Sequence, residues 1–359
     1  MFLKILGSVF LISIVFLTGN IDKLNNNKIE DSKKLNKCSQ LNYEEINHIN
    51  NLNFSDLNFE ITFKNDRKWK KNRYQNHIQS HKNKIASSES IRFFSPSERQ
   101  IGFITVKTNK INCSLKASIR AHGNFIDHRS GNMPSLNINL KEGNIKGITR
   151  FILFKPKTRN GDNEIVNTIL LKHAGFLTPI TFNTNLFYND QKFKVIFQEK
   201  IAKEMLERNN LRESFILGLD ERFFRLDPPE AKHFSLYGID NAKLVIKNQK
   251  NKNIAEYAIS LLNNLTRIHP KIFEDEKDFS SISKSLNKNY FEKLEVYDAL
   301  MYAINATHGI SFDDRKFYFD PFYKKFLPIY YDGMGLVLEK RDVSQLAKKV
   351  NFFPSSKNG

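Results

Sequence analysis

Cysteine, tryptophan, glycine and proline are all scarce in this sequence. Its 359 residues include 2 cysteines, 1 tryptophan, 15 glycines and 10 prolines. Two cysteines exclude a disulfide-dense scaffold and a cysteine-rich zinc protein, and the low glycine and proline counts exclude collagen-like and low-complexity chains. Hydrophobic residues make up 40% of the chain, which is too much for a disordered protein. The length suits one large two-lobed domain or two ordinary domains.

Acidic residues are also few, with 38 Asp and Glu against 56 Lys and Arg, which gives a net charge of +18. This excess favours an anionic partner such as phosphate, an acidic glycan or a membrane surface. Because Lys, Asn and Ile are abundant together, codon bias is the competing explanation. The basic residues are spread along the chain without a nucleic-acid-binding motif, so nucleic acid is not predicted as a partner.

The apolar run at residues 5–17 follows Lys4 and has the length of a signal-peptide core rather than of a membrane span. We predict a signal peptide or membrane anchor in residues 1–19, with a buried helix as the alternative. The protein is then expected to be secreted or held in the cell envelope, meeting a membrane only through this segment. Cys38 and Cys113 could pair in an oxidising compartment, although two cysteines alone do not prove a disulfide. Residues 20–100 are interpreted as a polar spacer.

Hydrophobic periodicity predicts a strand-rich region over residues 101–208 and mostly helices afterwards. Strands are predicted at 101–108, 114–120, 135–140 and 150–155, and a hairpin at 184–198. Helices are predicted after the capping residue Asp162, at 199–208, at 253–268 and at 290–306.

The segment after the last predicted helix carries the clearest candidate site. His308 lies in a polar loop, Asp314 precedes a strand at 316–319, and Asp332 ends a second strand at 326–331. The two aspartates are 18 residues apart, so a single hairpin between them can bring their carboxylates together. Two hard oxygen ligands suit Mg²⁺ or Mn²⁺ carrying phosphates. Asp-Gly after a strand is also a common turn, which remains the alternative.

Four segments occur in an order that resembles a known family: 119–124 (IRAHGN), 161–170 (GDNEIVNTIL), 187–199 and 326–332 (FLPIYYD). The order and spacing resemble the spore-coat protein H (CotH) kinase-like family, an exported branch of the protein-kinase fold, over residues 101–335. The resemblance implies an α+β, atypical protein-kinase-like two-lobed fold.

In this fold a strand-rich N-lobe with one helix and a hinge covers residues 101–208, and a helical C-lobe with the catalytic-loop hairpin covers residues 209–359. Only 27 residues follow Asp332, so the C-lobe is expected to be reduced or C-terminally truncated.

The resemblance also implies roles for the residues of the hairpin. Asp332 matches the metal-binding Asp of the family, Asp314 matches a metal-binding Asn, and Asp313 lies at a His position. His308 falls near the position of the catalytic Asp. There it could act as a general base near neutral pH or serve a structural role.

In the N-lobe the resemblance implies a nucleotide site. Lys155 or Arg120 would hold the phosphates of ATP, with Glu164 as an ion-pair partner. For each of these three residues a surface salt bridge is an equal alternative. Glu199 would mark the hinge beneath the adenine.

These roles predict an exported phosphotransferase that uses ATP with Mg²⁺ or Mn²⁺. Its acceptor would be a hydroxyl group of an envelope protein or of a polysaccharide. The missing catalytic Asp favours a second hypothesis, a kinase-shaped envelope binding or assembly protein without catalysis. A hydrolase that uses the same carboxylates as acid and base is the third.

Overall fold

The structure is a computed structural model that describes residues 37–82, 97–219, 237–272, 288–310 and 314–340. The strands are β1 (Asn58–Phe63), β2 (Gln100–Lys107), β3 (Asn112–Ala121), β4 (Leu136–Leu140), β5 (Arg150–Phe154), β6 (Thr181–Tyr188), β7 (Gln191–Glu199), β8 (Ile216–Leu219), β9 (Tyr237–Ile239), β10 (Lys316–Asp320) and β11 (Lys325–Ile329). The α-helices are α1 (Tyr43–Asn51), α2 (Asp66–Lys82), α3 (Ile126–Arg129), α4 (Asp162–His173), α5 (Lys203–Arg208), α6 (Gln249–Ile272) and α7 (Lys288–Ala303).

Seven strands close into a barrel in the order β1-β2-β3-β4-β5-β7-β6. Neighbouring strands are antiparallel except β1 and β6, which pair in parallel. Because alternate residues of a strand point to the same face, one face of each strand fills the barrel with apolar side chains. The ring of Phe197 lies at the centre, with its centroid 4.4 Å from that of Phe151, 4.6 Å from Phe182 and 5.7 Å from Phe59.

A second sheet has the strand order β11-β10-β8-β9. Residues Ala255, Ala258 and Leu262 of α6 bury one helix face in the same apolar cluster as Phe317 and Phe319 of β10. An isolated parallel bridge connects this sheet to the segment after α4. It pairs Ile329, at the end of β11, with Leu177. Among the described helices, none has the length and apolar character needed to cross a bilayer.

The kinase-like fold predicted from the resemblance is wrong. The strand-rich region is a closed seven-stranded barrel, and the region after residue 209 contains a four-stranded sheet rather than a helical lobe. Two features caused the error. β1 closes the barrel from a segment outside the predicted lobe, and β8 and β9 are too short, at 4 and 3 residues, for their alternation to be recognised.

The described part of the segment interpreted as a polar spacer contributes to the barrel. It supplies β1, and a disulfide joins Cys38 to Cys113 of β3. The only tryptophan, Trp69 of α2, is 1% exposed and stacks on Phe63 with ring centroids 4.2 Å apart. The Asn-rich composition hid the alternation of Phe59 and Ile61 in β1.

Other predictions of local structure are confirmed, except that Asp162 is the first residue of α4 and Gly161, not Asp162, occupies the cap position. The strands β2 to β7, β10 and β11 and the helices α4, α6 and α7 occur where periodicity predicted them, with ends shifted by a few residues. The predicted N-terminal signal peptide or anchor, Asp313 and the chain after residue 340 lie outside the described residues.

Candidate functional site

The candidate site lies where the loop after α7 meets the end of the β10–β11 hairpin. His308 belongs to a short 3₁₀ turn at Thr307–Ile310. This turn packs directly on the strand end, because a Cβ added to Gly309 would lie 2.6 Å from the carbonyl oxygen of Tyr331 and 2.9 Å from Cα of Gly333. A glycine at this position therefore allows the two backbones to touch.

The structure brings His308, Asp314 and Asp332 together. Nδ1 of His308 lies 2.9 Å from the carbonyl oxygen of Asp332 and 3.1 Å from Oδ2 of Asp314. Both of these partners are acceptors, so Nδ1 carries the ring hydrogen and Nε2 carries the lone pair of the neutral imidazole. One ligand atom from each of the three residues lies within 4.8 Å of the others, a spacing that a single cation could bridge.

Arg159 forms a buried ion pair with Asp332. Its Nη1 lies 2.8 Å from Oδ1 of Asp332, and the two side chains are 4% and 13% exposed. The guanidinium also lies over the ring of Phe154, 4.2 Å from its centroid. Burial alone would lower the pKa of Arg159, but Asp332 and neighbouring acidic groups outweigh burial and raise it. Arg159 therefore remains a fixed positive charge beside the carboxylate cluster.

The donor set fits a divalent cation. Oδ1 of Asp332 is shielded from solvent and accepts no hydrogen bond from the described residues, although its ion-pair partner, Nη1 of Arg159, lies 2.8 Å away. A buried acceptor without a hydrogen bond is uncommon in proteins and is often found where an ion or water binds. The carboxylates of Asp314 and Asp332 are the hard oxygen ligands that Mg²⁺ and Mn²⁺ prefer.

Glu164 of α4 supports the strand that carries the site. Its buried carboxylate accepts hydrogen bonds from the hydroxyl of Tyr330 at 2.6 Å and from Nε2 of Gln198 at 2.8 Å. Burial raises the pKa of Glu164, although Arg159 and the hydrogen bond from Tyr330 oppose this effect. The carboxylate of Glu164 is thus held by Tyr330 and Gln198. It contacts neither Lys155 nor Arg120, the two ion-pair partners proposed from the sequence.

Lys155 and Glu199, both predicted to line a nucleotide site, are held by other groups. The ammonium of Lys155 donates to the carbonyl oxygens of Asp127 at 2.6 Å and Ser130 at 3.0 Å, so it stabilises the turn around α3. Glu199 forms an ion pair with Arg208. Arg120 lies on the outward face of β3, where its register partner is Asn137 of β4.

Sequence reasoning missed Arg159, Tyr331 and Lys316. Nζ of Lys316 lies 5.1 Å from the centroid of the Tyr331 ring and 2.7 Å from Oδ2 of Asp240. Burial raises the pKa of Tyr331 to about 12. Arg159 is far from Asp332 in sequence and belongs to the short connection between β5 and α4, so no local spacing could have linked the two.

A scan against models of known protein families found no match for this chain, and a search of curated proteins also found none. The resemblance to the spore-coat protein H (CotH) kinase-like family therefore stays a prediction that rests on the four quoted segments.

Proposed function

We propose that this chain is a divalent-metal-dependent phosphotransferase that moves a phosphoryl group from ATP to a hydroxyl acceptor. The observation that carries the proposal is the convergence of His308, Asp314 and Asp332 within 4.8 Å of one another. Phosphoryl transfer needs mainly positioning and charge stabilisation from a protein, and this cluster has the groups for both.

In this proposal each residue has a separate task. Asp314 and Asp332 would hold Mg²⁺ or Mn²⁺, which would supply neutralisation of the charge on the phosphate. His308 accepts the proton of the acceptor hydroxyl at Nε2, while its Nδ1–H is directed to the carbonyl oxygen of Asp332 and to Oδ2 of Asp314. Arg159 fixes the orientation of Asp332.

The acceptor is proposed to be a Ser/Thr of an envelope protein or a sugar hydroxyl of an envelope polysaccharide. The disulfide between Cys38 and Cys113 supports export of the chain, because disulfides persist mainly in oxidising compartments. The predicted leader in residues 1–19 is consistent with this location.

Nucleotide and metal binding provide the first test. Addition of ATP and Mg²⁺ or Mn²⁺ is expected to raise the melting temperature by about 3 °C when the ligand is near tenfold above its Kd. The Asp332→Asn variant is expected to lose this shift, because it removes a charged metal ligand. The matched control is Glu60→Gln, which breaks a partly exposed ion pair with Lys107 on the barrel and is expected to keep the shift. Absence of a shift in the wild-type protein at millimolar ATP would contradict the proposal.

Transfer of labelled γ-phosphate separates an enzyme from the binding protein named as the second hypothesis. The His308→Gln variant is expected to keep the ATP-dependent thermal shift and to lose transfer by about 10²–10⁴-fold, the usual contribution of a general base. If the wild-type protein binds ATP but transfers no phosphate to any hydroxyl acceptor, water included, the result would instead identify it as a binding or assembly protein.

A further inference from the structure

The turn of the β10–β11 hairpin exposes two neighbouring aromatic side chains. Phe322 is 73% exposed and Tyr323 is 63% exposed. The rings at the adjoining strand ends differ from them, because Phe319 and Phe326 are 1% and 2% exposed and belong to the apolar cluster that α6 covers. The hairpin therefore buries one pair of aromatic rings in the core and leaves the next pair in contact with solvent.

Hydrogen bonds within the turn fix the position of the two exposed rings. Oδ1 of Asp320 accepts a hydrogen bond from the backbone nitrogen of Phe322 at 2.9 Å and from that of Tyr323 at 3.1 Å. The two rings pack edge to face, with their centroids 4.8 Å apart and their planes at 85°. Because these contacts already order the turn, binding of a partner here costs little further conformational entropy.

A third aromatic side chain and two lysines adjoin this turn. Tyr257 of α6 is 45% exposed, and Nζ of Lys324 lies 5.8 Å from the centroid of its ring. Nζ of Lys325 lies 5.7 Å from the centroid of the Tyr323 ring. Neither lysine forms an ion pair with a residue that the structure describes. Together with Phe322, these four residues form a surface that we call the aromatic tip.

The composition of the aromatic tip matches the interface of an anionic bilayer. Aromatic side chains are favoured at the boundary between lipid headgroups and acyl chains, because their rings are apolar and a tyrosine hydroxyl can stay hydrated there. Lysines beside such rings extend their ammonium groups toward lipid phosphates, and an anionic surface attracts them. Exposed apolar patches with polar rims commonly mark sites of protein or membrane interaction.

A membrane fits this surface better than a small ligand or a peptide does. Pockets and grooves that bind such ligands are concave, whereas the aromatic tip includes the turn at the end of a hairpin. The rings of Phe322 and Tyr323 meet edge to face, so they do not form one flat platform on which a sugar ring could stack. The net charge of +18 also attracts the chain to anionic surfaces.

The aromatic tip and the carboxylate cluster lie at opposite ends of the same hairpin. Asp314 precedes β10 and Asp332 follows β11, whereas the turn joins the other ends of the two strands. The five residues of β10 span roughly 14 Å at about 3.4 Å per residue. A membrane bound at the aromatic tip would therefore leave the carboxylate cluster away from the lipid surface.

We propose that the aromatic tip binds the surface of a membrane that contains anionic lipids. Phe322 and Tyr323 enter the headgroup region, while Lys324 and Lys325 contact lipid phosphates. This contact is separate from the predicted leader in residues 1–19. It also goes beyond the proposed function, because it requires neither ATP nor a metal ion.

The test is the fluorescence of a tryptophan introduced into the full chain by Tyr323→Trp. The only native tryptophan, Trp69, is 1% exposed in the barrel core, so its emission is a constant background. Mixed vesicles of phosphatidylglycerol and phosphatidylcholine are expected to shift the added emission to shorter wavelength, and brominated lipid is expected to quench it. This signal is local to the turn, so binding of residues 1–19 to the same vesicles does not produce it.

Tyr43→Trp is the matched control for the position of the ring. Tyr43 is 78% exposed, but it lies on α1 beside Glu44 and Glu45 rather than beside lysines. Its emission is therefore expected to stay unchanged when the same vesicles are added. Phe322→Ser, combined with Tyr323→Trp, is expected to weaken the vesicle-induced shift by about tenfold in lipid concentration, because one ring no longer leaves water. Its melting temperature should not change, because the replaced ring is exposed.

The two lysines provide the electrostatic part of the test. In the Tyr323→Trp chain, Lys324→Gln/Lys325→Gln is expected to raise the lipid concentration at half-maximal shift by roughly 25-fold, or about fivefold for each lysine. Lys192→Gln/Lys194→Gln removes the same charge from exposed positions of β7 and is expected to change this concentration by about twofold or less. High salt should weaken the shift, since it screens the attraction of the lysines to the lipid.

Four results would overturn the proposal. They are an unchanged emission of Tyr323→Trp at millimolar anionic lipid, an equal shift with pure phosphatidylcholine, a shift caused by a soluble polysaccharide, and a shift that appears without lipid as protein concentration rises. The last two would assign the aromatic tip to a glycan or to a second copy of the chain. Asp332→Asn is expected to leave the vesicle-induced shift intact, so failure of the phosphotransferase hypothesis and failure of membrane binding are distinguishable.

Discussion

Replacement of Arg159 by methionine is expected to lower the free energy of unfolding by about 3 kcal/mol and the melting temperature by roughly 8 °C. The substitution keeps an apolar stem over Phe154 but leaves the carboxylate of Asp332 without its cation. Both side chains are largely buried, at 4% and 13% exposure, so water cannot fully replace the lost partner. Chemical denaturation of the purified variant measures the effect.

A double-variant cycle tests whether the ion pair itself is responsible. Removing both charges in Arg159→Met/Asp332→Asn is expected to cost less than the sum of the two single changes, because neither partner is then left as a buried unpaired charge. Strictly additive losses would show that Arg159 stabilises the protein through packing alone.

The single Arg159→Met variant also tests whether Arg159 competes with a metal ion at the candidate metal site. Arg159 lies beside Oδ1 of Asp332, so it competes with a cation for that oxygen. If the proposed metal site is correct, Mn²⁺ is expected to raise the melting temperature of Arg159→Met by more than that of the wild type. This result would show that a metal can compensate for the missing guanidinium.

Most of the strands could be predicted from the sequence, but their closure into a barrel could not. The alternation in β3 and β4 is plain in the sequence, and the structure confirms these strands. Closure depends on β1, which pairs in parallel with β6 across more than 120 residues of chain. Periodicity reports which residues face a core, but it contains no information about which distant strand supplies the neighbour.

The candidate site shows the same division between local and distant information. The hairpin between Asp314 and Asp332 was a local feature, so its spacing was enough to predict that the two residues approach each other. Lys155 was assigned to phosphate because of its position in the quoted order of segments, yet the carbonyl groups around α3 bind its ammonium. Arg159 became visible only once the tertiary fold placed the end of β5 beside the end of β11.

Loss of the disulfide between Cys38 and Cys113 is expected to have the second large effect. The bond closes a loop of 75 residues, and the chain-entropy relation for such a loop corresponds to about 4 kcal/mol of stability. Removal of the bond in Cys38→Ala/Cys113→Ala should therefore lower the urea midpoint strongly. It should also increase the dependence of unfolding free energy on urea, because the unfolded chain becomes more extended.

Reduction provides the control for this prediction. Dithiothreitol should shift the urea midpoint of the wild type toward that of the double variant and should leave the variant unchanged. The structure gives the physical reason for expecting a large effect: the disulfide holds the chain just before α1 and β1 against β3, and β1 is the strand that closes the barrel between β2 and β6. If the variant unfolds at the wild-type midpoint, the contacts of β1 with its two neighbours must be sufficient to keep the barrel closed. In that case the disulfide would contribute little to the stability of the fold.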